Sequence, residues 1–177
     1  MSTSDAVVCL ANGAAIATPI EPGTPDFELF AGALQHVCRE TAKALVRDGE
    51  GATKFVEITV SGAPSDIEAR KVARAIAVSQ LCKTAFFGQD PNWGRIACAA
   101  GYAGVEFDPK NLEIWIDDVQ VMQGGMPADF EEAEVAACMQ KPEFRIRLRV
   151  GAGSGVAEYW TSDLSHKYVE INADYRT

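Results

Sequence analysis

Apolar residues recur along the chain in two periods, and these periods lay out its elements. A short apolar run, Ala6 to Leu10, reads as a buried strand stopped by Asn12-Gly13. Thr24 followed by Pro25 then marks a helix start, because threonine accepts from orphan amides and proline has no amide proton to leave unpaired. Phe27, Phe30, Leu34, Val37, Thr41 and Leu45 recur at three- and four-residue steps, which predicts a long helix with one buried stripe, closed by Asp48-Gly49. The β-branched run Phe55 to Val60 predicts a strand that turns at Ser61-Gly62. Ser65 and Glu68 form a capping box for a helix over about Asp66 to Gln80, with Val72 and Ile76 inward. Lys83 to Phe87 reads as a strand. Asp90-Pro91 opens a third helix, whose small residues Ala97, Ala99, Ala100 and Gly101 allow close packing before Gly104 ends it.

Leu112 to Ile116 and Val119 to Met122 read as strands, and Asp129 to Met139 as a helix. In Glu143 to Val150, Arg145, Arg147 and Arg149 alternate with Ile146, Leu148 and Val150, so a strand puts arginines on one face and aliphatics on the other. Gly151 to Gly155 permits a hairpin into Val156 to Thr161, and Tyr168 to Ile171 reads as a last strand. Helices interspersed among hairpins predict an α+β fold rather than a doubly wound sheet. No internal repeat is evident. An opening inside an apolar strand makes Met1 look like a truncation point.

Composition changes the picture little. At 177 residues and 47% hydrophobic, the chain can bury a real core. Sixteen basic against 25 acidic residues give a net charge of -9, which disfavours nucleic acid or an anionic membrane as main partner and tolerates a cationic substrate. No apolar run approaches the roughly 20 residues that span a bilayer, and the start lacks a charged flank before an apolar stretch, so a cytoplasmic location is expected. Cys9, Cys38, Cys82, Cys98 and Cys138 are odd in number and widely spaced, and read as reduced, buried thiols. His36 and His166 have no partner at ligand spacing, so no metal site is expected.

Three strings carry candidate chemistry. Gly49-Glu50-Gly51-Ala52-Thr53-Lys54 resembles a phosphate cradle in composition, but a phosphate loop runs from strand to helix and this one runs from helix to strand. A glycine-terminated helix explains it locally; Glu50, held between two glycines, could still meet an ammonium group. Asp90-Pro91-Asn92-Trp93-Gly94-Arg95 is either a helix cap with Trp93 in the core and Arg95 paired to an acid, or an anion-holding helix start. The tail Glu170 to Thr177 offers an amide, a hydroxyl and the terminal carboxylate directly after an apolar run. Ser2 would be exposed by loss of Met1 and could use its own amine as base, but serine after an initiator methionine is commonplace.

The strings DGEGATKF (Asp48 to Phe55), KTAFFGQDPNWGR (Lys83 to Arg95), YVEINADYRT (Tyr168 to Thr177) and the opening MSTSDAVVCLANG together resemble the ornithine acetyltransferase family of arginine biosynthesis, in order and spacing along essentially the whole chain. The resemblance implies a precursor that cuts itself before a threonine into an α chain and a β chain. That threonine takes acetyl from N-acetylornithine, releasing ornithine, and passes it to glutamate in a ping-pong cycle. It implies no added cofactor, acetyl-CoA serving as acetyl donor in some members, and an assembly of two α and two β chains. The present chain is similar to the C-terminal part of the β chain, beyond the cleavage threonine, so no catalytic residue is carried over and neither Ser2 nor Thr3 is the nucleophile by alignment. Isolated, it is expected to be inactive. Three substrate contacts are carried over: Glu50 for an ammonium, and Asn172 and Thr177 for a carboxylate or amide.

The expected fold is then α+β, as in that family: a partial layered α/β core segment at residues 1–50, a small mixed-sheet α+β domain at 51–142, and strands and tail at 143–177 returning to the substrate pocket. The required partners are the α chain and the N-terminal part of the β chain. The rival reading is a non-catalytic module that binds an amino acid or another subunit.

Overall fold

The computed structural model describes residues 5–15 and 18–174. Its elements are α1 (Pro25–Arg47), β1 (Phe55–Ala63), α2 (Asp66–Val78), α3 (Gln80–Phe87), α4 (Trp93–Gly101), β2 (Glu113–Ile116), β3 (Val119–Gln123), β4 (Met126–Pro127), α5 (Glu132–Gln140), β5 (Glu143–Arg149), β6 (Gly155–Ser162) and α6 (His166–Asp174). The strands form one mixed sheet in the order β4-β3-β2-β5-β1-β6, which makes the fold α+β.

Local chemistry sets several boundaries. The Thr24 hydroxyl accepts from the Phe27 amide at 3.3 Å, and the Ser65 hydroxyl from the Glu68 amide at 3.3 Å, as capping predicts. Arginines 145, 147 and 149 are exposed while Phe144, Ile146 and Leu148 are buried. These aliphatics join Val56, Ile58 and Val60 of β1 and Ile114 and Ile116 of β2 on one face of the sheet. Val72 and Ile76 of α2 and Ile96 and Ala99 of α4 belong to the same core, with α2 packed on β1, β6 and α4.

Other expectations are corrected. Residues 83–87 lie in α3, a helix whose cap is Ser79, the residue that also closes α2. One hydroxyl residue makes a helix corner there, and the short apolar run carries no period long enough to reveal it. Residues 168–171 are helical, within α6, because the Ser165 hydroxyl accepts from the Tyr168 amide at 3.3 Å and starts a turn. The expected hairpin between β5 and β6 does not form. Instead β1 lies between them, parallel to β5 and antiparallel to β6. The chain does not turn at Ser61-Gly62 either: β1 continues to Ala63 through a register shift, with Gly62 at φ +77°. The third helix is capped by Asn92 rather than Asp90, and ends at Gly101.

Although it is the longest element, α1 has no buried residue. Its expected buried stripe faces outward, with Phe30 53% and Val37 59% exposed. The helix is attached through its other face. Arg39 pairs with Glu158 at 2.5 Å, Lys43 with Glu57 at 3.9 Å, and Arg47 with Glu143 at 2.8 Å. Arg39 and Lys43 also lie over the Trp160 ring at 5.1 and 5.2 Å, and Arg47 over Phe55 at 4.3 Å. Cations at four-residue steps present one side of the helix to the sheet, so the apolar side is turned away. Residues 6–10 likewise form no strand, and Leu10 is 91% exposed. The cysteines are free as expected, but only Cys82 is buried; Cys9, Cys38 and Cys98 are exposed and Cys138 is intermediate.

These two environments predict different mutational costs. Ile146→Ala, in the core, should destabilise by about 2–5 kcal/mol. Leu34→Ala, on the outward stripe of α1, should change stability of this chain by less than about 0.5 kcal/mol. Urea unfolding of the two variants checks both.

Candidate substrate site

The register of the sheet brings distant segments together. Phe55, which opens β1, pairs with Ser162, which closes β6. The loop before β1, residues 49–54, therefore meets the corner after β6, residues 163–165. Asp163 fastens them. It is only 4% exposed; its Oδ1 accepts from the Thr53 amide at 2.8 Å and the Lys54 amide at 3.1 Å, and its Oδ2 from the Thr53 hydroxyl at 2.5 Å. Ser165 adds a second tie, its hydroxyl donating to the Gly51 carbonyl at 2.5 Å. Gly51 sits at φ +67°, and a Cβ there would stand 2.6 Å from the Tyr168 amide nitrogen. Both facts require glycine.

Across this junction the structure brings together two of the three predicted contacts. Asn172, on α6, donates through Nδ2 to Glu50 Oε2 at 3.0 Å, and through the same nitrogen to the Tyr168 carbonyl at 2.9 Å. Both amide protons are thereby spent. What Asn172 offers outward is its Oδ1, an acceptor beside the Glu50 carboxylate. The pair suits a donor such as an ammonium; of the two partners expected for Asn172, a carboxylate or an amide, the free Oδ1 can meet only an amide's N–H. Thr177 lies outside the described residues.

Glu50 also lines a cavity of about 200 Å³ with Val78, Gln80, Lys83, Ser162, Asp163, Leu164 and Tyr168. Lys83 was not singled out from the sequence. It is 6% exposed, and its ammonium donates to Thr161 Oγ1 at 3.1 Å, to Ser162 Oγ at 3.3 Å and to the Ser162 carbonyl. Burial lowers its pKa to about 8, against a smaller raising effect of the Asp163 charge. Asp163 was missed as well. Nothing in the local sequence joins it to Thr53, and only the pairing of β1 with β6 makes the contact.

The DPNWGR string acts as a cap. Asn92 Oδ1 accepts from the Arg95 amide at 3.1 Å, and Trp93 packs on the core. Arg95 pairs with no acid among the described residues; its guanidinium donates to the Leu81 carbonyl at 3.0 Å and lies 3.4 Å from the Thr84 hydroxyl. Burial pushes the Cys82 and Cys138 thiols up, so neither is a thiolate nucleophile near neutral pH. No metal-binding cluster of His, Cys, Asp and Glu occurs among the described residues.

A comparison with family models matches residues 1–177 to the ArgJ family. The chain belongs to the ArgJ family. Among curated relatives it is 49% identical to the arginine biosynthesis bifunctional protein ArgJ of Geobacter sulfurreducens, over 100% of this chain and 45% of that protein. It is 44% identical to the protein of the same description from Streptococcus mutans, over 99% of this chain and 44% of that one. The chain thus spans less than half the length of these ArgJ relatives. Its fold matches the crystal structure of the Bacillus halodurans ArgJ protein with a TM-score of 0.92 at 41% identity, over 99% of this chain and 83% of that one. The α+β sheet and its helices are therefore those of an ArgJ protein.

Two predictions follow from the junction geometry. Gly51→Ala should destabilise by about 1–3 kcal/mol, since it forces a left-handed residue with a Cβ against α6; thermal unfolding measures it. Lys83 fixes a pH dependence. Its folded pKa, about 8, lies below its ordinary 10.5, so between these values the unfolded chain binds more protons and stability rises with pH. The penalty is fully present below pH 8. Unfolding midpoints from pH 8 to 10.5 should therefore climb more in the wild type than in Lys83→Met.

Proposed function

We propose that this chain supplies part of the substrate pocket of an acetyltransferase that moves acetyl from N2-acetylornithine to glutamate in arginine biosynthesis. The observation that carries the reading is the hydrogen bond between Glu50 and Asn172, 122 residues apart, at the edge of a cavity. N2-acetylornithine keeps a side-chain ammonium, and the acceptors of Glu50 and Asn172 suit it. Thr177 is the third contact of the same reading.

The nucleophile in this scheme is the N-terminal threonine of a segment not part of this chain. Its hydroxyl oxygen attacks the acetyl carbonyl, ornithine leaves with its α-amine, and the amine of glutamate then takes the acetyl group from the threonine ester. No added cofactor is needed, and acetyl-CoA serves as an alternative acetyl donor if the chain belongs to a bifunctional member. The partners are an α chain and the N-terminal part of a β chain, in an assembly of two α and two β chains in the cytoplasm. Support for assembly comes from the outward apolar stripe of α1, whose Phe30, Leu34, Val37 and Leu45 are exposed. No described helix is long and apolar enough to cross a membrane.

The test is mass spectrometry of the native material together with an acetyl-transfer assay from N2-acetylornithine to glutamate. A co-purifying chain with an N-terminal threonine, and turnover only in its presence, is expected. Turnover by this chain alone would sink the scheme. Ligand-induced stabilisation with no transfer in the full assembly would favour the rival, a non-catalytic amino-acid-binding or subunit-binding module, for which the α1 stripe also speaks. In the active assembly, Glu50→Gln should raise KM for N2-acetylornithine by about tenfold or more, from loss of a charged hydrogen bond of roughly 1.5–3 kcal/mol.

A further inference from the structure

Three charged side chains are buried among the described residues: Lys54, Lys83 and Asp163. Buried charges are retained where they are paired or fully hydrogen-bonded. Lys54 donates to the Gln140 and Lys141 carbonyls, both at 2.9 Å, and so holds the end of α5. Asp163 holds the loop at residues 53 and 54. Lys83 does something different, because no substrate role falls to it and no carboxylate pairs with it directly.

An ammonium has three N–H groups. Those of Lys83 meet Thr161 Oγ1, Ser162 Oγ and the Ser162 carbonyl, so none is left for a ligand in the neighbouring cavity. The Lys83 carbonyl accepts in turn from the Leu164 amide at 3.1 Å. Lys83 therefore grips residues 161, 162 and 164, on both sides of Asp163. We propose that Lys83 is a positioning residue: it fixes the 161–165 corner, so that Asp163 and Ser165 hold the 49–54 loop and set where the Glu50 carboxylate stands.

Each link in this relay is a named contact. Lys83 orders Ser162; the next residue, Asp163, accepts from the Thr53 and Lys54 amides; Ser165 ties Gly51; and Glu50, the residue directly before that tie, meets Asn172. An apolar side chain at position 83 takes the ammonium donor away from the Ser162 carbonyl and from two hydroxyls. Water would enter to satisfy them, and the corner would loosen. The functional part of the inference rests on the reading of Glu50 as a substrate contact; the structural part does not.

The experiment has two readouts. In this chain, Lys83→Met should speed hydrogen exchange at the Thr53 and Lys54 amides by about tenfold or more, while the Ile58 and Val60 amides in the sheet keep their protection. Ser162→Ala, which removes one of the three Lys83 acceptors together with the hydroxyl's own bond to the Asp163 carbonyl, should shift the same two amides in the same direction by less, and serves if the lysine variant fails to fold. In the complete enzyme, Lys83→Met should raise KM for N2-acetylornithine about tenfold and leave kcat within about twofold, a split that general loss of folded protein does not produce. Unchanged exchange at Thr53 and Lys54 in a folded variant overturns the proposal. So does an unchanged KM in an enzyme whose KM does respond to Glu50→Gln. If Glu50→Gln itself has no effect, the reading of Glu50 falls, and amide exchange alone decides whether Lys83 positions the loop.

Discussion

A buried carboxylate needs donors, and the way Asp163 obtains them organises the site. The sheet order leaves the start of β1 beside the end of β6, so two loops 110 residues apart at the Thr53–Asp163 contact face each other. Two loops in contact through water would drift. Asp163 instead takes two backbone amides and a hydroxyl from the earlier loop, replacing the solvent it lost on burial. Everything that places Glu50 against Asn172 descends from this exchange: Gly51 comes close enough to α6 to demand glycine, and Ser165 both ties that glycine and starts α6.

The two halves of the structure are held by different physics. The sheet and the helices α2 and α4 bury an aliphatic core, where removal of a few methyl groups is costly. Helix α1 is joined by exposed ion pairs and by cations on aromatic rings, and such surface pairs are worth roughly 0–1 kcal/mol each. It is therefore the long element with least to lose by separating from the sheet. Its apolar stripe is regular enough to have been read as core, and the chain matches less than half the length of its ArgJ relatives. Further polypeptide packed on that stripe would reconcile the periodicity with the exposure.

What the sequence made legible was local. Thr24 and Ser65 cap helices because a hydroxyl next to orphan amides acts the same way in any fold, and the alternation from Arg145 to Val150 shows which face of β5 is wet. The misread elements are those in which a short apolar run carries two meanings. Residues 168–171 are a short, mostly apolar run, and the signal for helix was the Ser165 cap, which lies three residues upstream. Residues 83–87 hide a helix behind a serine that ends one helix and begins the next. The insertion of β1 between β5 and β6 is a non-local choice that no turn signal encodes. Of the site, Glu50 stood out locally as a carboxylate between two glycines, and the resemblance joined it to Asn172. Lys83 and Asp163, which hold it, come together only through the folded sheet.

The geometry also narrows what the site selects. Asn172 alone could serve a carboxylate through its amide protons, but those protons are committed to Glu50 and to the Tyr168 carbonyl. Reversing the amide would set its oxygen against two acceptors, an arrangement with no donor to relieve it. The Glu50 carboxylate thus fixes the orientation of Asn172, and the pair presents acceptors only. A ligand's carboxylate is repelled there, while an ammonium gains one charge partner and one neutral acceptor. Discrimination at this end of the pocket is by charge sign. If Glu50 contacts substrate as proposed, a substrate's own carboxylate is met by groups other than this pair.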